Sequence, residues 1–213
     1  MSSPENYNQE QMDDGSFRPE HITQLIKLWQ EAHQLEPDGY CGPLTQATFE
    51  PHTPSRLGAA TLAVAIEELG NGEEGGNNSG PHVARYKGIV DDGNPDDDGA
   101  WCASFLSYCT SVAADRMGVD MPIKKTGGAK RLHKTVGEVG SFVSAAKPGD
   151  IVCWDRGKKG SWQGHVGIVE KVENGVLHTV EGNVGRFPST VQRFKHDLSM
   201  QTRLIGFARF PEE

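Results

Sequence analysis

The stretch GHVGIVEKVENGVLHTVEGN, residues 164–183, decides the fold. Apolar residues crowd Val166–Val172 and Val176–Val180, and Glu173-Asn174-Gly175 between them has turn chemistry. This predicts two antiparallel strands joined as a hairpin. Working outward, Ile151-Val152-Cys153-Trp154 and Leu204–Phe210 read as further strands, and Pro148-Gly149 marks where the pattern changes. Before that point the apolar period is helical. Trp101 to Arg116 reads as a buried helix closed by Gly118, and a second helix is expected near 128–136 with Thr126 as N-cap. A third starts at Thr53 as N-cap with Pro54 in its first turn, runs through Leu57, Leu62, Val64 and Ile66, and ends at Gly70. Residues 71–99 form a long loop with one helical turn near 82–87. Helices first and an antiparallel meander afterwards describe an α+β domain.

Two residue types within this frame point to nucleophilic chemistry. Cys102 stands in Gly99-Ala100-Trp101-Cys102-Ala103-Ser104-Phe105, where a loop ends and a helix begins. Unpaired N–H groups and the positive end of the helix macrodipole favour a thiolate there, and the same groups can hold an oxyanion. A thiol nucleophile needs a base, and His165 at the start of its strand is the candidate. The base needs an orienting acceptor, and Glu181-Gly182-Asn183 offers two. Strand parity tests the set. A three-residue loop at 173–175 pairs 172 with 176, and counting outward pairs 167 with 181 and 165 with 183. A two-residue Asn174-Gly175 turn shifts the register by one and separates His165 from Glu181. The catalytic reading therefore expects the three-residue loop.

These residues carry a resemblance. Glu68-Leu69-Gly70 with Glu74-Gly75, the Tyr86 region, Trp101-Cys102-Ala103-Ser104-Phe105, Lys147-Pro148-Gly149-Asp150-Ile151-Val152, Gly164-His165-Val166-Gly167-Ile168-Val169 and Glu181-Gly182-Asn183 occur in order over residues 57–210. The set resembles the CHAP-type (cysteine, histidine-dependent amidohydrolase/peptidase) branch of the papain-like superfamily, close to NlpC-type cell-wall peptidases. The resemblance implies a papain-like fold and hydrolysis of an amide bond in peptidoglycan without a cofactor. It implies Cys102 as nucleophile, His165 as general base, Glu181 as its orienter, and Asn183 as a polar partner of the imidazole or the oxyanion. Trp101 and Trp162 are the candidate substrate contacts. Trp162 lies in the basic loop 155–163, which departs from the family pattern.

Residues 21–50 resemble half of a helical peptidoglycan-binding repeat. An apolar helix over 20–34 precedes Asp38-Gly39-Tyr40-Cys41-Gly42-Pro43-Leu44-Thr45, and a short helix follows near 44–50. The same residues also read as a helical hairpin that packs on the main domain. The expected organisation is a disordered polar tail at 1–18, this segment at 19–53 and the hydrolase domain at 54–213.

Composition narrows the function classes. The 213 residues carry a formal net charge of −8, a poor match for nucleic acid or an anionic membrane, both of which reward a basic face. No run reaches the roughly 18 apolar residues of a membrane span. The start MSSPENYNQEQMDDG has neither a basic region nor an apolar one, so no signal peptide is read. Synthesis in the cytoplasm with a substrate in the periplasm or wall implies delivery to a target cell as an antibacterial effector, with a secretion apparatus such as type VI and an immunity protein as partners. Release as a phage endolysin is the alternative, and a non-catalytic wall-binding module is the rival class.

The other reactive residues receive plainer readings. Cys109 and Cys153 are expected in the core, while a disulfide through Cys41 stays open. His82, His133 and His196 lack a partner pattern, and His178 reads as a surface residue. Asn94-x-Asp96-x-Asp98-Gly99 starts like a calcium loop, but Phe105 stands where the bidentate Glu belongs, so no metal is expected.

Overall fold

The computed structural model describes residues 10, 12–32, 35–41, 45, 55–90, 99–158 and 160–211. The acidic run 91–98, Thr53, Pro54 and nearly all of the expected helix at 44–50 lie outside the described residues. The chain divides into two compact units, Met1–Pro51 and His52–Glu213.

In the first unit, α1 (Pro19–Ala32) carries Gln30, which is buried. The Gln30 amide donates to Asp38 Oδ1 (2.7 Å), the Tyr40 carbonyl (3.0 Å) and Thr45 Oγ1 (2.9 Å), and its oxygen accepts from Gly39 N (2.9 Å). One side chain thus holds the Asp38-Gly39-Tyr40 turn.

The second unit is α+β. Its helices are α2 (Arg56–Glu67), α3 (Pro81–Lys87), α4 (Cys102–Met117) and α5 (Ala129–Val139). Six strands follow: β1 (Ser141–Val143), β2 (Ile151–Asp155), β3 (Gly164–Glu173), β4 (Val176–Glu181), β5 (Gln192–Asp197) and β6 (Leu204–Arg209). They form one antiparallel sheet in the order β1-β6-β2-β3-β4-β5. Alternation assigns its two faces. Ile151, Cys153, Val166, Ile168, Val180 and Ala208 join the core with α2 and α4, while Val152, Trp154, Val169, Leu177 and Phe207 build a second apolar layer. Among the described residues no helix is long and apolar enough to cross a membrane.

Two caps differ from expectation. Ser55 rather than Thr53 caps α2: its hydroxyl accepts from Gly58 N (3.3 Å) and donates to the Pro211 carbonyl (3.1 Å). Gly128 rather than Thr126 precedes α5, and Thr126 Oγ1 accepts from Gly128 N (3.1 Å) to hold the approach to the helix. β1 and β5 escaped the sequence reading because neither stretch is apolar enough to stand out: β5 is Gln-Arg-Phe-Lys-His-Asp.

The hairpin corrects the expected loop. Glu173 pairs with Val176, so the turn has two residues, Asn174 (φ 52°) and Gly175 (φ 74°), both in the left-handed region that such a turn requires. The register then shifts between Val169 and Lys171, where Glu170 has no partner of its own, and Val169 pairs with Thr179. A β-bulge inserts one residue and reverses the parity beyond it. The bulge undoes the shift made by the short turn, and Gly167 comes opposite Glu181 after all.

The Pro148-Gly149-Asp150 turn is tied to the sheet by a buried ion pair. Arg209 donates to both Asp150 oxygens (2.9 and 2.8 Å), Lys147 N donates to Oδ2 (2.7 Å), and the two charged side chains are 7% and 2% exposed. Removing one partner leaves a buried charge unpaired. Asp150→Ala should cost about 3 to 5 kcal/mol in urea unfolding, and adding Arg209→Leu to it should return much of that loss.

Candidate active site

Three elements converge on Cys102. α4 presents it as the first helical residue, after Trp101 as N-cap, and no side chain caps the helix. Backbone N–H groups in the first turn therefore lack intrahelical acceptors beside the thiol. β3 contributes His165, and β4 ends in Glu181. His165 Nε2 lies 2.7 Å from Glu181 Oε2, and both side chains are buried, at 6% and 2% exposed. Nδ1 of His165 is buried and makes no well-formed hydrogen bond. It is the nitrogen left for the thiol, and the imidazole and Cys102 are electrostatically coupled. Resting sites commonly hold such contacts long, and they tighten when substrate binds.

The backbone makes room for this pairing. A Cβ on Gly167 would stand 2.6 Å from Glu181 Cγ, so glycine alone lets the carboxylate lie over β3. Gly182 does the same for the indole of Trp101, where a Cβ would stand 2.4 Å from the ring.

Titration behaviour separates the three buried thiols. Burial pushes Cys109 well above the ordinary thiol value of 9.0. Burial likewise pushes Cys153 up to about 12. Burial opposes the thiolate at Cys102 too, but the nearby imidazole of His165 and its charge, the Val166 N–H and the charge of Arg156 outweigh it, and the thiol lies below the ordinary value. His165 is also penalised by burial, yet the neighbouring Cys102 thiol and the bond to Glu181 raise it to about 9. Glu181 pays a desolvation cost as well, and donors from His165, His196 and Thr179 hold it at about 2. The site thus sets a thiol lowered from its ordinary value beside an imidazole raised from its own, with a carboxylate on the imidazole's other nitrogen. Cys102, Cys109 and Cys153 are buried free thiols, and Cys41 is exposed.

The remaining predicted residues fall differently. Asn183 has φ 61° and takes part in neither the Glu181 nor the His165 hydrogen bonds, which leaves the oxyanion as the other expected partner. Trp101 is wholly buried: its Nε1 donates to Glu73 Oε1 (3.2 Å), and its ring stacks on Tyr86 with centroids 5.6 Å apart. It braces the helix start from behind and offers no surface to a substrate. Glu73, which also accepts from Ser189 N (2.7 Å) and Asn78 N (2.9 Å), is the acidic residue that matters there, rather than Glu74. Trp162 is 86% exposed in the basic loop, where Lys130 bonds the Ser161 carbonyl (2.5 Å) and Arg203 bonds the Gly157 carbonyl (2.9 Å). His196, given a plain reading from sequence, holds Glu181 Oε1 at 2.6 Å. Its signal lay in β5, an edge strand whose polar alternation masked it.

Among the described residues no group of three His, Cys, Asp or Glu is placed to hold a metal ion. A recess of about 450 Å³ lies away from the thiol, lined among others by His133, Phe142, Ile205 and Phe207. It contains none of Cys102, His165 and Glu181.

Residues 94–183 match the family model of the CHAP domain. The match spans 90 of the 213 residues. The CHAP match begins before Cys102 and ends at Asn183, so it encloses the thiol, the imidazole and the carboxylate. Similar solved structures include Ly7917, at 18% identity and TM-score 0.46 over 72% of this chain and 62% of that one. A Staphylococcus aureus protein described as similar to a lipoprotein of the NLP/P60 family matches at 16% identity and TM-score 0.40, over 80% of this chain and 48% of that one. The chain therefore spans less than two thirds of either protein's length. No curated protein matches.

The site should be selective for one thiol. Under native conditions at neutral pH, iodoacetamide should label Cys102 at least tenfold faster than Cys109 or Cys153, as peptide mass spectrometry would show. Gly167→Ala, which pushes Glu181 away, should slow Cys102 labelling by about tenfold. Labelling of Cys102 no faster than that of Cys109 would contradict the assignment.

Proposed function

We propose that the chain is a cysteine hydrolase that cleaves amide bonds of peptidoglycan, as endopeptidase or amidase. The observation that carries the reading is the 2.7 Å His165–Glu181 contact beside a thiol whose pKa falls despite complete burial. The CHAP match over the same residues supports the substrate class.

In this reading the Cys102 thiolate attacks the carbonyl carbon, and the oxyanion of the tetrahedral intermediate sits against free N–H groups at the start of α4. The His165 imidazolium donates its proton to the leaving amine as the C–N bond breaks, which leaves a thioester and neutral imidazole. His165 then takes a proton from water, hydroxide attacks the thioester carbonyl, and the acid departs as the thiolate is restored. Glu181 stays ionised throughout, stabilising the imidazolium. The residues supply the nucleophile, the proton carrier and the anion site, so the cycle needs no cofactor. The exposed Trp162 is the proposed substrate contact at the rim.

The proposed setting is an antibacterial effector delivered by an apparatus such as a type VI secretion system and neutralised in the producer by an immunity protein. The acidic balance, net −8, suits a chain that avoids anionic membranes and nucleic acid. A neighbouring holin gene in place of an immunity gene would assign the same chemistry to an endolysin.

Two results test the enzyme. Cys102→Ala should abolish muropeptide release from purified sacculi, with loss beyond a thousandfold; release at the parent rate sinks the mechanism. The pH profile of kcat/KM should hold a plateau through neutrality. It should fall on the alkaline side near pH 9, where His165 loses the proton that the leaving amine needs, and on the acid side where the thiolate is protonated.

A further inference from the structure

The Glu181 carboxylate has two oxygens, and only Oε2 serves His165. Oε1 accepts from the Thr179 hydroxyl (2.5 Å) and from His196 Nε2 (2.6 Å). We propose that His196 is a positioning residue of the reactive pair: it clamps Glu181 from the neighbouring strand so that the other oxygen faces His165. The proposal rests on the reading of Cys102 and His165 as the reacting groups.

Register places His196 for this. β4 pairs with β5 so that Leu177 faces His196, Thr179 faces Phe194 and Glu181 faces Gln192. Alternation then puts Thr179 and Glu181 on the His196 face. The plane of a glutamate carboxylate is poorly set by rotamer preference, because its last torsion is broad. The environment must fix it, and a carboxylate that is 1% exposed needs donors on both oxygens. Thr179 approaches from two residues back on the same strand. His196 is the donor to Oε1 that arrives from another strand, so it resists a rotation that a single donor allows. Facing an ionised carboxylate, Nε2 of His196 carries the hydrogen, which fixes its tautomer.

The indole of Trp154 locks the two imidazoles together. Its centroid lies 5.8 Å from the His165 ring at 25° and 4.8 Å from the His196 ring at 45°. Its Nε1 donates to Gln201 Oε1 at 3.1 Å, which fixes the ring plane. His196 is therefore held by packing as well as by its bond, and its side chain, 23% exposed, stands at the wetter end of the chain of contacts. His196 reaches the thiol only through Glu181 and His165.

Three variants of the full chain separate donor from packing. His196→Phe keeps the ring against Trp154 and removes the N–H; His196→Ala removes both; His196→Gln offers an amide N–H at similar reach. The readout is the rate of Cys102 alkylation by iodoacetamide at neutral pH, measured on the Cys102 peptide beside thermal melting. Loss of a donor to a buried charge should slow alkylation about tenfold in the Phe and Ala variants, and Gln should recover to within about threefold of the parent. Phe at the parent rate overturns the proposal, and so does Gln as slow as Phe with melting unchanged. Should Ala or Phe not fold, the Gln variant decides: near-parent alkylation upholds the donor role, and a tenfold loss in a folded Gln protein refutes it. Alkylation needs no peptidoglycan, so a chain that releases no muropeptides can still pass or fail this test.

Discussion

The site depends on keeping one carboxylate charged where water cannot reach it. Glu181 is 1% exposed, and an unpaired anion there would protonate and lose its hold on the imidazole. Three donors from β3, β4 and β5 prevent this. Because they come from three strands, the sheet must close around Glu181 before any of the chemistry is available. His165 is then raised to about 9, and Cys102 lies below its ordinary value inside a core that raises Cys109 and Cys153.

A second constraint lies in the hairpin. The turn Asn174-Gly175 matches strand twist well, but alone it would set His165 and Glu181 on opposite faces. The extra residue at Glu170 repairs the parity while keeping the turn. Bulges also bend a strand and increase its twist. Here one insertion sets which side chains face each other at the far end of β3.

Much of this was legible in the sequence, for physical reasons that differ by element. α4 announces itself by an apolar run ending at Gly118, whose φ of 69° is the left-handed cap that glycine favours. β2, β3 and β4 are buried strands and read as apolar runs. The meeting of His165 with Glu181 was legible because parity can be counted along paired strands. The loop length was not, since a turn of two residues with a bulge and a turn of three give the same parity near the site. β1 and β5 are edge strands, too polar or too short to show a period. His196 and Glu73 were hidden because their partners, Glu181 and Trp101, are remote in sequence. Trp101 misled for the opposite reason: an aromatic beside a nucleophile suggests a ligand platform, but its burial against Tyr86 and Phe105 makes it the back wall.

The three buried thiols show why position along a helix outweighs burial. Cys102 and Cys109 sit on the same helix, both almost wholly buried, seven residues apart in number. At Cys109 the N–H groups are engaged in the helix and the nearby charge of Glu68 adds to the burial penalty. At Cys102 the helix has only begun, the Val166 N–H favours the thiolate, and an imidazole held by Glu181 supplies the opposing charge. Desolvation strengthens that attraction as well as opposing it, because the same low dielectric that penalises a lone anion deepens its interaction with a fixed cation. The cation must already be in place for the balance to tip, and the three strands around Glu181 put it there.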